Sequence, residues 1–318
     1  MRAVRYHEHG GPEVLQVEEI DRPEPNADEV LVAIRAAGVN PVDTYFREGS
    51  YQPYALPMIP GSDYAGEVVS VGEDVSGFDE GDRVFGTGLG SDRPGTYAEY
   101  ATAPTDRVAH LPDGISYAEG AAVALVGVTA WRCLIDHAAL QPAERCLVHG
   151  GSGGVGHVAV QLADATGAEV VTTAREEYHG LLADLGADVT IDYGRDDLGD
   201  AVVAAGRPAV ILDHMLDDYL QFDADVAAQG ARIVGIGNTD TAAGFTDVPG
   251  ARSKELTLQL SSMFNTPDMS AVLARLATLM RYGELVPDVA RTYDLEEAAD
   301  AQRDVMAESF FGKLVIRP

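Results

Sequence analysis

Residues 150–156 read Gly-Gly-Ser-Gly-Gly-Val-Gly, and this heptad limits what the chain can fold into more than any other segment. Gly151, Gly153 and Gly156 fall in G-x-G-x-x-G spacing. They follow the short apolar run RCLVHG (145–150). Val155, Val158, Ala159, Leu162 and Ala163 then recur at helical spacing, and Gly167 closes that segment. Strand, glycine turn and amphipathic helix in that order is the context that gives the motif meaning. One glycine permits the tight turn, one lets the backbone approach a pyrophosphate, and the last lets helix and strand pack closely. The helix start offers N–H donors and the positive end of its dipole to phosphates. Gly151, Ser152, Gly153, Gly154, Val155 and Gly156 are therefore candidate dinucleotide-binding residues; the competing reading is a flexible glycine loop.

Strand–helix alternation continues to about residue 260. Strand candidates are EVVTTA (169–174), DVTID (188–192), AVILD (209–213), ARIVGI (231–236) and LTLQL (256–260), with Leu181, Leu182 and Leu185 marking a helix. Such alternation requires crossover connections and a parallel, doubly wound sheet. The first 115 residues instead read as β-rich. Val30, Val32, Ile34 and Ala36 share one face at period two, and 64–86 reads strand, turn, strand around Gly72, Gly77 and Gly81. Helical stretches at 269–280 and 295–307 and a strand-like 313–318 close the chain. This tail should return to the first domain, because the doubly wound domain is complete by 260. The expected class is α/β, with 1–122 and 265–318 as the β-rich domain and 123–264 as the parallel-sheet domain.

The 318 residues carry 22 Lys plus Arg against 51 Asp plus Glu, a formal charge of −29. That sign excludes an ordinary nucleic-acid binder and attraction to an anionic membrane surface. Lys254 and Lys313 are the only lysines. An acid-rich, Lys-poor chain with ordinary hydrophobic content suits molar salt, where the Debye length falls to about 3 Å and self-repulsion is screened. A merely acidic protein of ordinary habitat is the alternative. Cys133 and Cys146 have neither metal nor disulfide spacing and fit a reducing cytoplasm. MRAVRYHEHGGPEV has no apolar leader character, and the longest apolar run, 121–131, is shorter than a bilayer span.

The end of the second parallel-sheet strand bears on the ribose. Arg175 stands there after Thr172, Thr173 and Ala174, with Glu176 and Glu177 next. An arginine can pair with a 2′-phosphate, so NADPH is favoured over NADH; a solvated arginine balanced by the two acids is the alternative.

VGEDVSGFDEGDRV (71–84), GGSGGVGHVAVQLA (150–163) and GKLVIRP (312–318) together resemble the medium-chain dehydrogenase/reductase superfamily. NPVDTYFREGSY (40–51) is similar to its zinc-free quinone oxidoreductase, ζ-crystallin-like branch. The resemblance runs over essentially the whole chain. It implies a GroES-like catalytic domain plus a Rossmann domain, and NADPH-dependent reduction of quinones or enones. It also implies a homodimer, for which LTLQL is the candidate edge. Where zinc members carry Cys and a His-Glu pair, this chain reads Asn40-Pro41-Val42-Asp43 and Gly61-Ser62-Asp63, so no metal site is expected.

The resemblance also implies roles for single residues. Asn40, Tyr45 and Tyr51 would sit near nicotinamide and substrate as catalytic candidates, with turn and packing roles as the alternatives; Asp43 would be structural. Thr129 would meet the nicotinamide carboxamide, Tyr193 the adenosine phosphate, and Met263, Phe264 and Asn265 the nicotinamide. Gly237 and Asn238 end a parallel strand, where ligands bind. Lys313 matches the terminal Gly-Lys motif and would contact phosphate, unless it is a surface-strand lysine. DHMLDDY (213–219) departs from the family's Asp-x-Val-Gly-Gly stretch, and Glu176 replaces Ser or Lys beside the 2′-phosphate position. An enoyl-thioester reductase and a non-catalytic NADPH-binding protein are the alternative functions.

Overall fold

A computed structural model describes residues 1–307 and 309–318. The chain forms two compact units, residues 1–126 with 267–318 and residues 127–266.

The first unit begins with an antiparallel pair, β1 (Arg2–Arg5) and β2 (Gln16–Glu19). There follow β3 (Glu29–Val39), α1 (Pro41–Glu48), β4 (Tyr64–Val71), β5 (Arg83–Gly86), β6 (Tyr100–Pro104) and β7 (Val108–His110), and then α2 (Tyr117–Trp131), which begins in the first unit and ends in the second. The second unit contains β8 (Arg145–Val148), α3 (Gly154–Thr166), β9 (Glu169–Thr173), α4 (His179–Asp184), β10 (Val189–Ile191), α5 (Leu198–Ala205) and β11 (Val210–Asp213). It is completed by α6 (Leu216–Val226), β12 (Arg232–Gly235), α7 (Val248–Ser253) and β13 (Thr257–Leu260). The tail adds α8 (Met269–Tyr282), β14 (Val289–Asp294), α9 (Ala298–Ala307) and β15 (Lys313–Arg317) to the first unit.

In the first unit β15 pairs antiparallel with β3, whose other neighbours are β4 and β6. That central place explains a departure from simple alternation: both faces of β3 are buried, with Arg35 alone exposed. Val30, Val32, Ile34, Val68, Leu314 and Ile316 share one core.

In the second unit all strand pairs are parallel, in the order β10-β9-β8-β11-β12-β13. This is the doubly wound order 3-2-1-4-5-6, with its switch point between β8 and β11. Leu147, Val171, Ile211 and Ile233 form the sheet's own core. β13 is one of the sheet's two edge strands, and all four of its residues are exposed.

The apolar run judged too short for a bilayer belongs to a longer element. α2 continues as a π-helical turn over Arg132–His137, giving a 21-residue helix that by length and composition alone is long and apolar enough to cross a membrane. Its apolar window is 78% buried within the protein, which makes it a core helix rather than a span.

Candidate active site

The glycine turn sits at the carboxyl end of β8 and opens α3. Gly150 N–H donates to Thr173 Oγ1 (3.1 Å) and Gly151 N–H to Thr173 O (2.8 Å), tying the turn to β9. Close approach explains two of the glycines. A Cβ on Gly156 would lie 2.1 Å from Gly150 O, and one on Gly151 would lie 2.1 Å from Thr172 Oγ1. Gly153 differs: as N-cap it has φ −75° and ψ 174°, and its Cβ would meet only Gly150 O, at 3.4 Å. Bare backbone there leaves room for a ligand rather than for the fold. The first-turn amides of α3 are the orphan donors that every helix start leaves, and Ser152 to Val155 are half-buried. The turn therefore fits a dinucleotide diphosphate.

Other expected cofactor residues lie in the same unit. Arg175, exposed at the end of β9, donates Nε–H to Tyr193 Oη at 2.8 Å, and Tyr193 is itself exposed. Gly237 and exposed Asn238 follow β12, and Asn238 Nδ2 donates to Asp240 O. Thr129 is buried in α2. Met263–Asn265 form a single 3₁₀ turn after β13, in which Met263 is buried and Phe264 exposed. Arg132 holds this turn by donating Nη1–H to Asn265 O (2.6 Å).

Behind the glycine turn lies a buried polar cluster that the sequence did not announce. His149 Nε2 is 2.8 Å from Asp223 Oδ1, and its ring stacks on Tyr219 with centroids 4.4 Å apart. Burial holds the His149 imidazole down to about 4. Burial and mutual repulsion push Asp213 up, and burial does the same to Asp223. One oxygen of each carboxyl is buried with no hydrogen-bond partner among the described residues. Both carboxyls are thus biased toward the protonated form. The unusual DHMLDDY stretch provides one member of the pair, Asp213, while Asp223 follows it on α6, and the only visible signal was the stretch's departure from the family's glycines.

In the first unit Asn40 caps α1 and is almost wholly buried. Its Nδ2 donates to Asp63 Oδ2 (2.8 Å), and its Oδ1 accepts from Lys313 Nζ (2.6 Å). Asn40 N–H and Tyr97 Oη donate to Asp43 Oδ2 (2.9 and 3.0 Å), a structural use of that carboxyl. Burial raises Asp43 to about 7 and also raises Asp63, against the pull of Lys313. Half-buried Tyr45 and exposed Tyr51 meet edge to face at 5.8 Å, and Phe46 adds a second edge contact to Tyr51. Burial lifts the Tyr45 phenol above its ordinary range, so it stays a neutral donor.

Two expectations change here. Lys313 is neither a surface lysine nor a phosphate contact: it is buried, and its ammonium is committed to Val39 O (2.6 Å) and Asn40 Oδ1. The strand β15 runs beside β3, so the side chain enters the core rather than solvent. Asp63, met in the sequence only as a place where zinc members carry a ligand, and Tyr97, not singled out there, complete the cluster. Zinc does not fit this donor set. Thiolate and imidazole are lacking, and an ammonium occupies the amide oxygen that would have to serve as ligand. Among the described residues no group of three His, Cys, Asp or Glu side chains could hold a metal.

Residues 26–113 match the alcohol dehydrogenase GroES-like domain and residues 185–316 the zinc-binding dehydrogenase domain. Human quinone oxidoreductase is 34% identical over 99% of this chain and 97% of its own length. The crystal structure of Escherichia coli quinone oxidoreductase complexed with NADPH superposes with a TM-score of 0.90 at 29% identity, covering both chains fully. An NAD-dependent alcohol dehydrogenase superposes with a TM-score of 0.94 at 31% identity, again over both whole chains. A 3-2-1-4-5-6 parallel sheet, a GroES-like unit and full-length identity to quinone oxidoreductases agree: the chain belongs to the medium-chain dehydrogenase/reductase superfamily.

Proposed function

We propose that this protein uses NADPH to reduce a quinone or the activated double bond of an enone, without a metal ion. The observation that carries the reading is the glycine turn, where Gly151 and Gly156 are demanded by the fold but Gly153 is left open to a ligand. Full-length relatives named quinone oxidoreductases support the same chemistry.

Reduced nicotinamide supplies the hydride when bound. The amides at Ser152, Gly153, Gly154, Val155 and Gly156 hold the diphosphate. Thr129, Gly237, Asn238 and Phe264 shape the rest of the nucleotide site. Arg175, braced by Tyr193, gives its guanidinium to a 2′-phosphate, and this favours NADPH over NADH. Hydride arriving at carbon builds negative charge on a substrate oxygen, which aimed donors stabilise. Asn40 keeps one Nδ2 hydrogen beyond the one given to Asp63, and Tyr45 and Tyr51 offer phenols and a right-angled aromatic wall suited to a flat acceptor.

The cellular setting and assembly belong to the same proposal. Burial pushes the Cys133 and Cys146 thiols up to about 12, so neither acts as a nucleophile, and both suit a reducing cytoplasm. The exposed edge β13, with Leu258 and Leu260 uncovered, would pair with the same strand of a second copy. Leu260→Asp is expected to yield a monomer by sedimentation velocity; a wild-type monomer would remove the dimer.

A panel of 1,2-naphthoquinone, an enone and crotonyl thioester, run with NADPH and NADH in molar salt, tests the function. Quinone or enone turnover with NADPH is expected. Turnover of the thioester alone would make it an enoyl reductase, and tight NADPH binding with no turnover a binding protein.

A further inference from the structure

An asparagine amide is nearly symmetric in shape, so its chemistry depends on which end faces which partner. Around Asn40 the partners leave no choice. An ammonium donates only, and Lys313 Nζ lies 2.6 Å from Oδ1. A carboxylate accepts only, and Asp63 Oδ2 lies 2.8 Å from Nδ2. Flipping the amide would set its NH₂ against the ammonium and its carbonyl against the carboxylate, losing both bonds at once.

The two partners are themselves fixed. Lys313 Nζ also donates to Val39 O (2.6 Å) and lies 3.9 Å from Asp63 Oδ2. Asp63 Oδ1 accepts Leu125 N–H (2.8 Å). The Asn40 backbone is held by Asp43, which Tyr97 secures in turn. All four charged or amide side chains are buried, so solvent does not loosen the arrangement. The residue type is informative too. The chain has 22 basic residues and uses lysine at only two positions. A compact ammonium fits between a carbonyl, an amide oxygen and a carboxylate; a planar guanidinium is built for a different fork.

We infer that Lys313, paired with Asp63, is a positioning residue for the reduction: it locks the Asn40 amide with Nδ2 as the available donor. The inference rests on the proposed role of Asn40 and deepens it. Lys313 touches neither substrate nor cofactor in this scheme and acts only through Asn40.

The test uses Lys313→Met and the charge-neutral double variant Lys313→Met/Asp63→Asn, which keeps the cluster measurable if the single change fails to fold. NADPH affinity by fluorescence titration should stay within about twofold of wild type. The quinone kcat per NADPH-binding site should fall roughly 10- to 100-fold, as misplacement of a reacting group does. In an Asn40→Ala background the same Lys313→Met change should alter kcat less than about twofold, because the group it positions is gone. The Asn40 side-chain amide hydrogens, slow to exchange in wild type, should exchange faster in Lys313→Met. Weakened NADPH binding with unchanged kcat would restore the phosphate-contact role and overturn the inference. So would an undiminished kcat in both variants, or a full additional loss in the Asn40→Ala background. Wild-type protein that binds NADPH yet reduces no quinone or enone would instead sink the proposed function, and the inference with it.

Discussion

Gly153→Ala separates ligand binding from folding at a single atom. The backbone at Gly153 has φ −75° and ψ 174°, open to any residue. The added methyl would sit 3.4 Å from Gly150 O, an ordinary contact, with nothing else within 4 Å. Alanine is a poorer N-cap than glycine by about 0.5–1 kcal/mol, which lowers Tm by roughly 1–4 °C in a protein of this size class. The methyl would nevertheless stand where a diphosphate must approach the α3 amides. Losing one charge-assisted bond costs about 1.5–3 kcal/mol, or roughly 10- to 100-fold in Kd. Calorimetric titration with NADPH beside a thermal melt reads both quantities. Gly156→Ala is the contrast: its methyl would be 2.1 Å from Gly150 O, so it should destabilise the second unit outright. A Gly153→Ala protein with wild-type Tm and wild-type NADPH affinity would refute the assignment of this turn.

Further outcomes follow from the charged groups. Arg175→Ala should weaken NADPH binding about tenfold, the worth of a charge-assisted pair, and leave NADH unchanged; equal losses for both would deny the 2′-phosphate role. Asp213 and Asp223 have raised folded pKa values, so their contribution is complete below the unfolded carboxylate pKa of about 3.9 and drains away as pH climbs toward neutrality. His149, held down to about 4, works on the other side: its contribution is present above the unfolded value and is lost as pH falls toward 4. Melts from pH 4 to 9 should therefore show both arms, and Asp223→Asn should flatten the alkaline one; an unchanged alkaline slope in that variant would count against the raised Asp223 carboxyl. With a formal charge of −29, Tm should rise steadily between salt-free buffer and about 3 M KCl as repulsion is screened. Equal melts at both ends would remove the molar-salt reading.

The second unit was legible in the sequence because its signals are local. A strand–glycine–helix turn, periodic apolar residues and closing glycines each act over a few neighbouring residues, and the 3-2-1-4-5-6 sheet is their consequence under the right-handed crossover rule. Arg175 could be placed at a strand end, though not its bond to Tyr193, which depends on two strands lying side by side.

Chemistry of position, by contrast, came only from folding. Lys313 is 273 residues from Asn40 in the chain, yet their side chains share a hydrogen bond because β15 lies against β3. Nothing local to GKLVIRP distinguishes a lysine reaching solvent from one sealed in a core. His149, Asp213 and Asp223 likewise become groups biased toward their uncharged forms only when three separate segments remove one another from water. Short-range pattern fixed the scaffold and the nucleotide turn; burial and long-range pairing, which no stretch of sequence encodes alone, set the charge and orientation of the side chains beside them.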